Sequence, residues 1–125
     1  MVSLGSVACP IDRQPPAATS LAHYVVIRAD LPLGLKVANT VHAAGLSASW
    51  RDGPLPTDTI AVALAARDES HLHELSVKLA ERNILHHPVR ESDGPYAGQW
   101  MAIGLEPTAD RDAVRKVVSH LPLVR

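Results

Sequence analysis

Apolar and polar positions divide the chain into stretches of alternating period. Residues 22–29, AHYVVIRA, are a short β-branched run with apolar residues on both parities, the pattern of a strand covered on both faces. Pro32 follows, suited to a turn or a first helical position. From about residue 34 to 48 the spacing is helical, with Leu35, Ala38, Val41 and Gly45 on one stripe and Lys36, Asn39 and Thr40 off it. Residues 47–58 read as a loop, marked by Asp52-Gly53-Pro54 and Pro56. Residues 59–66, TIAVALAA, predict a second buried strand, and Asp68 is a good N-cap for the next helix. In that helix Leu72, Leu75 and Leu79 recur at core spacing, and Asn83 ends it. Residues 84–91, ILHHPVRE, predict a third strand, in which Pro88 removes a backbone donor and favours an edge. Ser92-Asp93-Gly94-Pro95 is a turn, and residues 98–105, GQWMAIGL, predict a fourth strand. Thr108 then suits the cap of a last helix carrying Val114, Val117, Val118 and Leu121 on its apolar stripe.

The resulting order, β-α-β-α-β-β-α, implies a mostly parallel sheet, because parallel neighbours need a helical crossover. The short link between strands three and four favours an antiparallel pair. The expected fold is therefore α/β, a three-layer sandwich with a four-stranded mixed sheet and helices on both faces. Residues 1–20, with Gly5, Pro10, Pro15 and Pro16, read as a loosely ordered tail, leaving residues 21–125 as one domain.

Composition narrows the function classes. Lys plus Arg is 12 and Asp plus Glu is 13, a net charge of −1, which argues against a broad basic surface for nucleic acid. The one cysteine, Cys9, cannot form an internal disulfide, consistent with a cytoplasmic setting. No apolar run reaches the roughly 18 residues of a membrane span, and the start lacks the features of a signal peptide. The core must be built from Ala, Val, Leu and Ile, since aromatics are limited to Tyr24, Trp50, Tyr96 and Trp100.

Ligands of open α/β sheets sit at the carboxyl ends of parallel strands. The first such end delivers Arg28, Asp30 and the Gly34-Leu35-Lys36 turn; the third delivers Glu91, Ser92 and Asp93. Asp93 facing Lys36 across a cleft would hold and activate a water; alternatively, Asp93 forms a local turn and Lys36 is a solvated charge. His42 follows Asn39 by three residues and shares roughly its side of the helix; it is either an acid–base group or a structural hydrogen-bonding partner. His71 and His73 point about 200° apart on a helix, and His86 and His87 point to opposite faces of a strand, so neither pair predicts a metal site. No dinucleotide fingerprint, phosphate loop or Gly-x-Ser-x-Gly elbow occurs. No cofactor is expected.

Asp30-Leu31, Gly34, and then Val37-Ala38-Asn39-Thr40-Val41-His42-Ala43, followed after the third strand by Asp93-Gly94, Met101-Ala102-Ile103-Gly104 and the ending Leu121-Pro122-Leu123, form an ordered set. This set resembles the type 2 peptidyl-tRNA hydrolases over about residues 22–125. The resemblance implies a small α/β sandwich that cleaves the ester joining a peptide to the 3′ end of tRNA, by direct attack of water and without metal or cofactor. Asn39, His42 and Asp93 match the family's amide, histidine and aspartate, with Asn39 in place of the usual Gln. Aligning on His42 puts Leu35 at the family's lysine position, with Lys36 one residue later and about 100° further around the helix. The turn before the helix is shorter than the usual lysine- and glycine-rich version, and Pro95-Tyr96 stand where the family has a threonine.

The expected function is thus peptidyl-tRNA hydrolysis, with Asp93 on water, Lys36 stabilising the oxyanion, Asn39 positioning the carbonyl and His42 holding the wall or contacting the tRNA end. Arg28, Arg51 and Arg90 are candidate phosphate contacts. The alternative is a non-catalytic binding module on the same fold that has lost the active-site lysine. A free sheet edge would leave a homodimer open.

Overall fold

The computed structural model describes residues 20–125; the expected tail and Cys9 lie outside them, apart from Ser20. The elements are β1 (Ala22–Arg28), α1 (Leu33–Ala48), β2 (Ile60–Ala66), α2 (Glu69–Glu81), β3 (His86–Arg90), β4 (Trp100–Leu105) and α3 (Arg111–Val118). A single-turn 3-10 helix, Gly94–Tyr96, sits between β3 and β4. The sheet has the order β2-β1-β4-β3. β1 pairs parallel with β2 and antiparallel with β4, and β4 pairs antiparallel with β3. The fold is the expected four-stranded mixed α/β sheet, but it is not mostly parallel in its pairing. β1, β2 and β3 run the same way, yet β4 returns between β1 and β3, so only one of the three pairs is parallel.

β1 is buried along its whole length because it is central and covered on both faces. Ala22, Tyr24 and Val26 join Leu72, Leu75, Leu79, Val114, Val117 and Val118 in the layer beneath α2 and α3. Val25 and Ile27 join Ala43, Val89 and Ala102 in the thinner layer beneath α1. Asp68 caps α2 as expected, accepting from the His71 N–H at 2.9 Å. Asn83 ends α2 in the left-handed region, φ 58°, a conformation asparagine tolerates better than most residues. β3 lies at a sheet edge, where Pro88 costs no ladder bond toward a missing neighbour.

Three expectations are corrected. Residues 59–66 do not form a fully buried strand: β2 is the other edge, and its first two residues are exposed. The end of the chain lies along it, with Ala65 N–H donating to the Pro122 carbonyl at 2.8 Å and Val124 N–H to the Ala63 carbonyl at 3.0 Å. The cap of α3 is Asp110, accepting from the Ala113 N–H, while Thr108 instead bridges to Ala22. The buried stripe of α1 is not Leu35, Ala38, Val41 and Gly45 but Asn39, Ala43 and Ser47, whereas Val41 is 65% exposed.

The physical reason for the last correction is Gly104 on β4. A Cβ there would stand 2.7 Å from the Ser47 hydroxyl and against the Ala43 carbonyl oxygen. Its absence lets α1 approach the sheet closely, which only short side chains on the facing stripe permit. Ser47 Oγ donates to the Ala43 carbonyl at 2.7 Å and therefore accepts from His23 Nε2 at 2.7 Å. Polar groups in this narrow layer are satisfied by one another.

Candidate functional site

β1 delivers its last residue, Arg28, to the carboxyl end of the sheet, on the side of α2. The guanidinium is almost fully buried and makes four hydrogen bonds. Nε and Nη2 donate to the two Asp30 oxygens at 2.9 and 3.0 Å, and Nη1 donates to Gln99 Oε1 at 2.7 Å and to the Trp100 carbonyl at 3.2 Å. The Tyr96 ring lies 5.5 Å from the guanidinium carbon. One side chain thus fastens the turn before α1 to the bend between β3 and β4, across 71 residues of sequence. A bidentate arginine–carboxylate pair is the strong form of such a bond.

The charges around this hub follow from it. The hydrogen bond from Arg28 holds the Asp30 carboxyl below its ordinary value, burial acts against this, and Lys36 adds a smaller lowering. Glu69, at the start of α2, accepts the Trp100 N–H at 2.9 Å, which is the main reason its carboxyl also lies low. His73 packs its ring 4.0 Å from that of Trp100 and closes the side of the hub.

The sequence-derived candidates divide among four environments. Lys36 faces a cavity of about 290 Å³ bounded by Ile27, Ala65, Leu123 and Val124, and its ammonium donates to the Arg125 carbonyl at 3.2 Å. His42 and Arg90 border a shallow depression between α1 and β3, together with Val41, Leu46 and Pro88. Asn39 is buried, and its amide nitrogen donates back to the Leu35 carbonyl at 2.9 Å within its own helix. Asp93 precedes the 3-10 turn with its side chain exposed and caps nothing. The local turn role, a side-chain bond to the following backbone, is therefore not what holds it.

Topology brings Arg28, Asp30, the start of α1, Arg90 and Asp93 to one end of the sheet. It does not bring Arg51 there. α1 runs back along β1 for its 16 residues, about 24 Å at 1.5 Å per residue, and Arg51 follows its far end. Lys36 lines the 290 Å³ cavity, and Asp93 is not part of its lining. Arg28, offered by the sequence as a phosphate contact, spends four of its five donors within the protein.

The structure also assigns roles that sequence reasoning missed. Gln99, Tyr96, Trp100 and Glu69 complete the Arg28 hub; the available signal was a charged residue closing an apolar strand, which must find partners when buried. His71 Nδ1 accepts the Arg67 N–H at 3.0 Å, fixing the neutral ring with its proton on Nε2. His86 bonds Ser76 and the Ile84 carbonyl, and His87 pairs with Glu106 at 3.1 Å while packing against Trp50. Each of these histidines is engaged separately, and no group of three or more potential metal ligands gathers among the described residues. No helix among the described residues is long and apolar enough to cross a membrane. No protein-family model matches the chain, and no curated protein matches it.

Proposed function

We propose that the domain is a peptidyl-tRNA hydrolase-like protein that receives the acylated end of a tRNA at the carboxyl end of β1 and cleaves its ester without metal. The observation that carries the reading is the Arg28 hub, which holds the turn before α1 and the Asp93 bend at the same end of the sheet. Water held by the exposed Asp93 carboxylate attacks the ester carbonyl. Asp93 takes the water proton, the acyl C–O bond breaks, and the ribose hydroxyl leaves protonated. His42 is exposed on the α1 wall with Asn39 buried behind it, and Arg90 is an exposed cation on that side for phosphate. Lys36 supplies oxyanion stabilisation only after leaving its bond to the Arg125 carbonyl.

That last contact favours a second reading, a binding module that holds the acylated end without turnover. Both Lys36 and Asn39 are occupied within the protein. The test is release of peptide from a peptidyl-tRNA mimic by wild type and by Asp93→Ala. The hydrolase reading expects turnover that falls at least about a hundredfold in the variant, the scale of a lost acid–base group. Mimic binding with no turnover by wild type would leave the binding module. Turnover unaffected by Asp93→Ala would refute the assigned chemistry.

A further inference from the structure

The two faces of the sheet are unequally covered. Four strands at about 4.8 Å spacing span roughly 19 Å, and a helix with its side chains is about 10 Å wide, so a face needs two helices. α2 and α3 fill one face. On the other, α1 packs on β4, β1 and β3, and no described helix lies over β2. The strip that the described residues leave uncovered has a floor of Ala61, Ala63 and Ala65, grading from exposed to buried. Its walls are α1 and the terminal Leu123-Val124, and the 290 Å³ cavity forms its deeper end.

α1 itself carries an apolar stripe on its outward side. Lys36 is its only charged residue apart from the titratable His42, and its outward face presents Leu33, Val37 and Val41 at 67%, 57% and 65% exposure, beside Gly34, Ala38 and Gly45. A surface helix ordinarily turns polar residues outward, so an apolar outward stripe on α1 calls for cover. The same chain therefore carries an uncharged ridge in need of cover and a shallow, small-residue slot beside it.

We infer that a second copy of this chain occupies the slot, with the two α1 helices side by side between the two sheets about a twofold axis. Such an isologous contact satisfies ridge and slot in both copies at once. The area is sufficient: the outer half of a 24 Å helix contributes on the order of 400 Å² and the β2 strip on the order of 200 Å², so two copies bury roughly 1,200 Å², within the range of specific interfaces. The absence of charge on the ridge, Lys36 lying at its margin, suits a self-contact better than an acidic or basic partner. The inference rests on the packing of α1 and β2 and not on the proposed hydrolysis, although Lys36 borders the slot as well.

Sedimentation equilibrium of the whole chain tests it, with Val41→Asp on the ridge and Ala61→Glu on the slot floor. Both positions are exposed in the single chain, so circular dichroism of each variant should match wild type. The expected result is a dimer whose dissociation constant rises at least about a hundredfold in either variant, because each buries an unpaired charge. A wild type that stays monomeric up to about 100 μM, far above the dissociation constants of specific complexes, would overturn the inference, whatever else fills the slot. So would a dimer indifferent to both substitutions, whose contact must lie elsewhere, for instance at the β3 edge.

Discussion

Replacing Arg28 with Met keeps an apolar stem of similar length and deletes every hydrogen bond of the hub. Two of the lost bonds go to Asp30, whose side chain is 42% exposed; water replaces much of what that carboxylate loses, so this part is worth no more than about 1 kcal/mol. The bonds to Gln99 and to the Trp100 carbonyl lie deeper, and leaving such groups without a donor costs about 1 kcal/mol each. The expected loss at pH 7 is therefore about 2–3 kcal/mol, or about 10–15 °C in Tm for a domain of this size. Asp30 gives the effect a pH signature. Its folded-state pKa lies below the ordinary 3.8, so its stabilisation is present above that value and is lost as pH falls through the folded value. Urea unfolding of wild type and Arg28→Met at pH 7 and near pH 3 reads both terms. The gap between the two proteins should narrow in acid. A loss under about 0.5 kcal/mol at pH 7, the ordinary size of a surface substitution, would show that Arg28 fastens nothing.

Gly104→Ala should destabilise by about 1–3 kcal/mol in the same assay, through overpacking of the Ser47 and Ala43 contact; unchanged stability would mean that α1 stands further off the sheet. His23 and His71 both have pKa values lowered from the ordinary 6.5, chiefly by burial. The unfolded chain then takes up protons below about pH 6.5 while the native protein resists, so stability falls as pH drops from about 7 toward each folded value. The double variant His23→Gln, His71→Gln should flatten that slope in a denaturant series; an unchanged slope would assign it to other groups. Asp68→Ala should cost about 1 kcal/mol by removing the α2 cap, and a Tm unchanged within error would argue against the cap.

The parts of the fold that were legible in the sequence share one property: their signal is local. The continuous apolar run of β1, the Asp68 cap, the Asn83 stop and the edge preference of Pro88 each depend on residues within a turn or strand. What was not legible depends on partners far along the chain. The seating of α1 is set by Gly104, so the helix buries Asn39, Ala43 and Ser47 and exposes Val41, which periodicity placed inside. The edge position of β2 follows from where β4 inserts. At the candidate site, the two chain segments were readable as strand ends. The fastening between them was not, because Arg28 and Gln99 lie 71 residues apart and neither belongs to a spaced motif.

The most direct test of the account is a heteronuclear NMR titration with a non-hydrolysable aminoacyl-nucleoside in which an amide replaces the ester. Binding between the two walls predicts saturable shifts in the backbone amides of both Asp30–His42 and Glu91–Gln99. Shifts confined to one wall, or centred on the opposite end of the sheet around Arg82, Leu85 and Asp110, would contradict it.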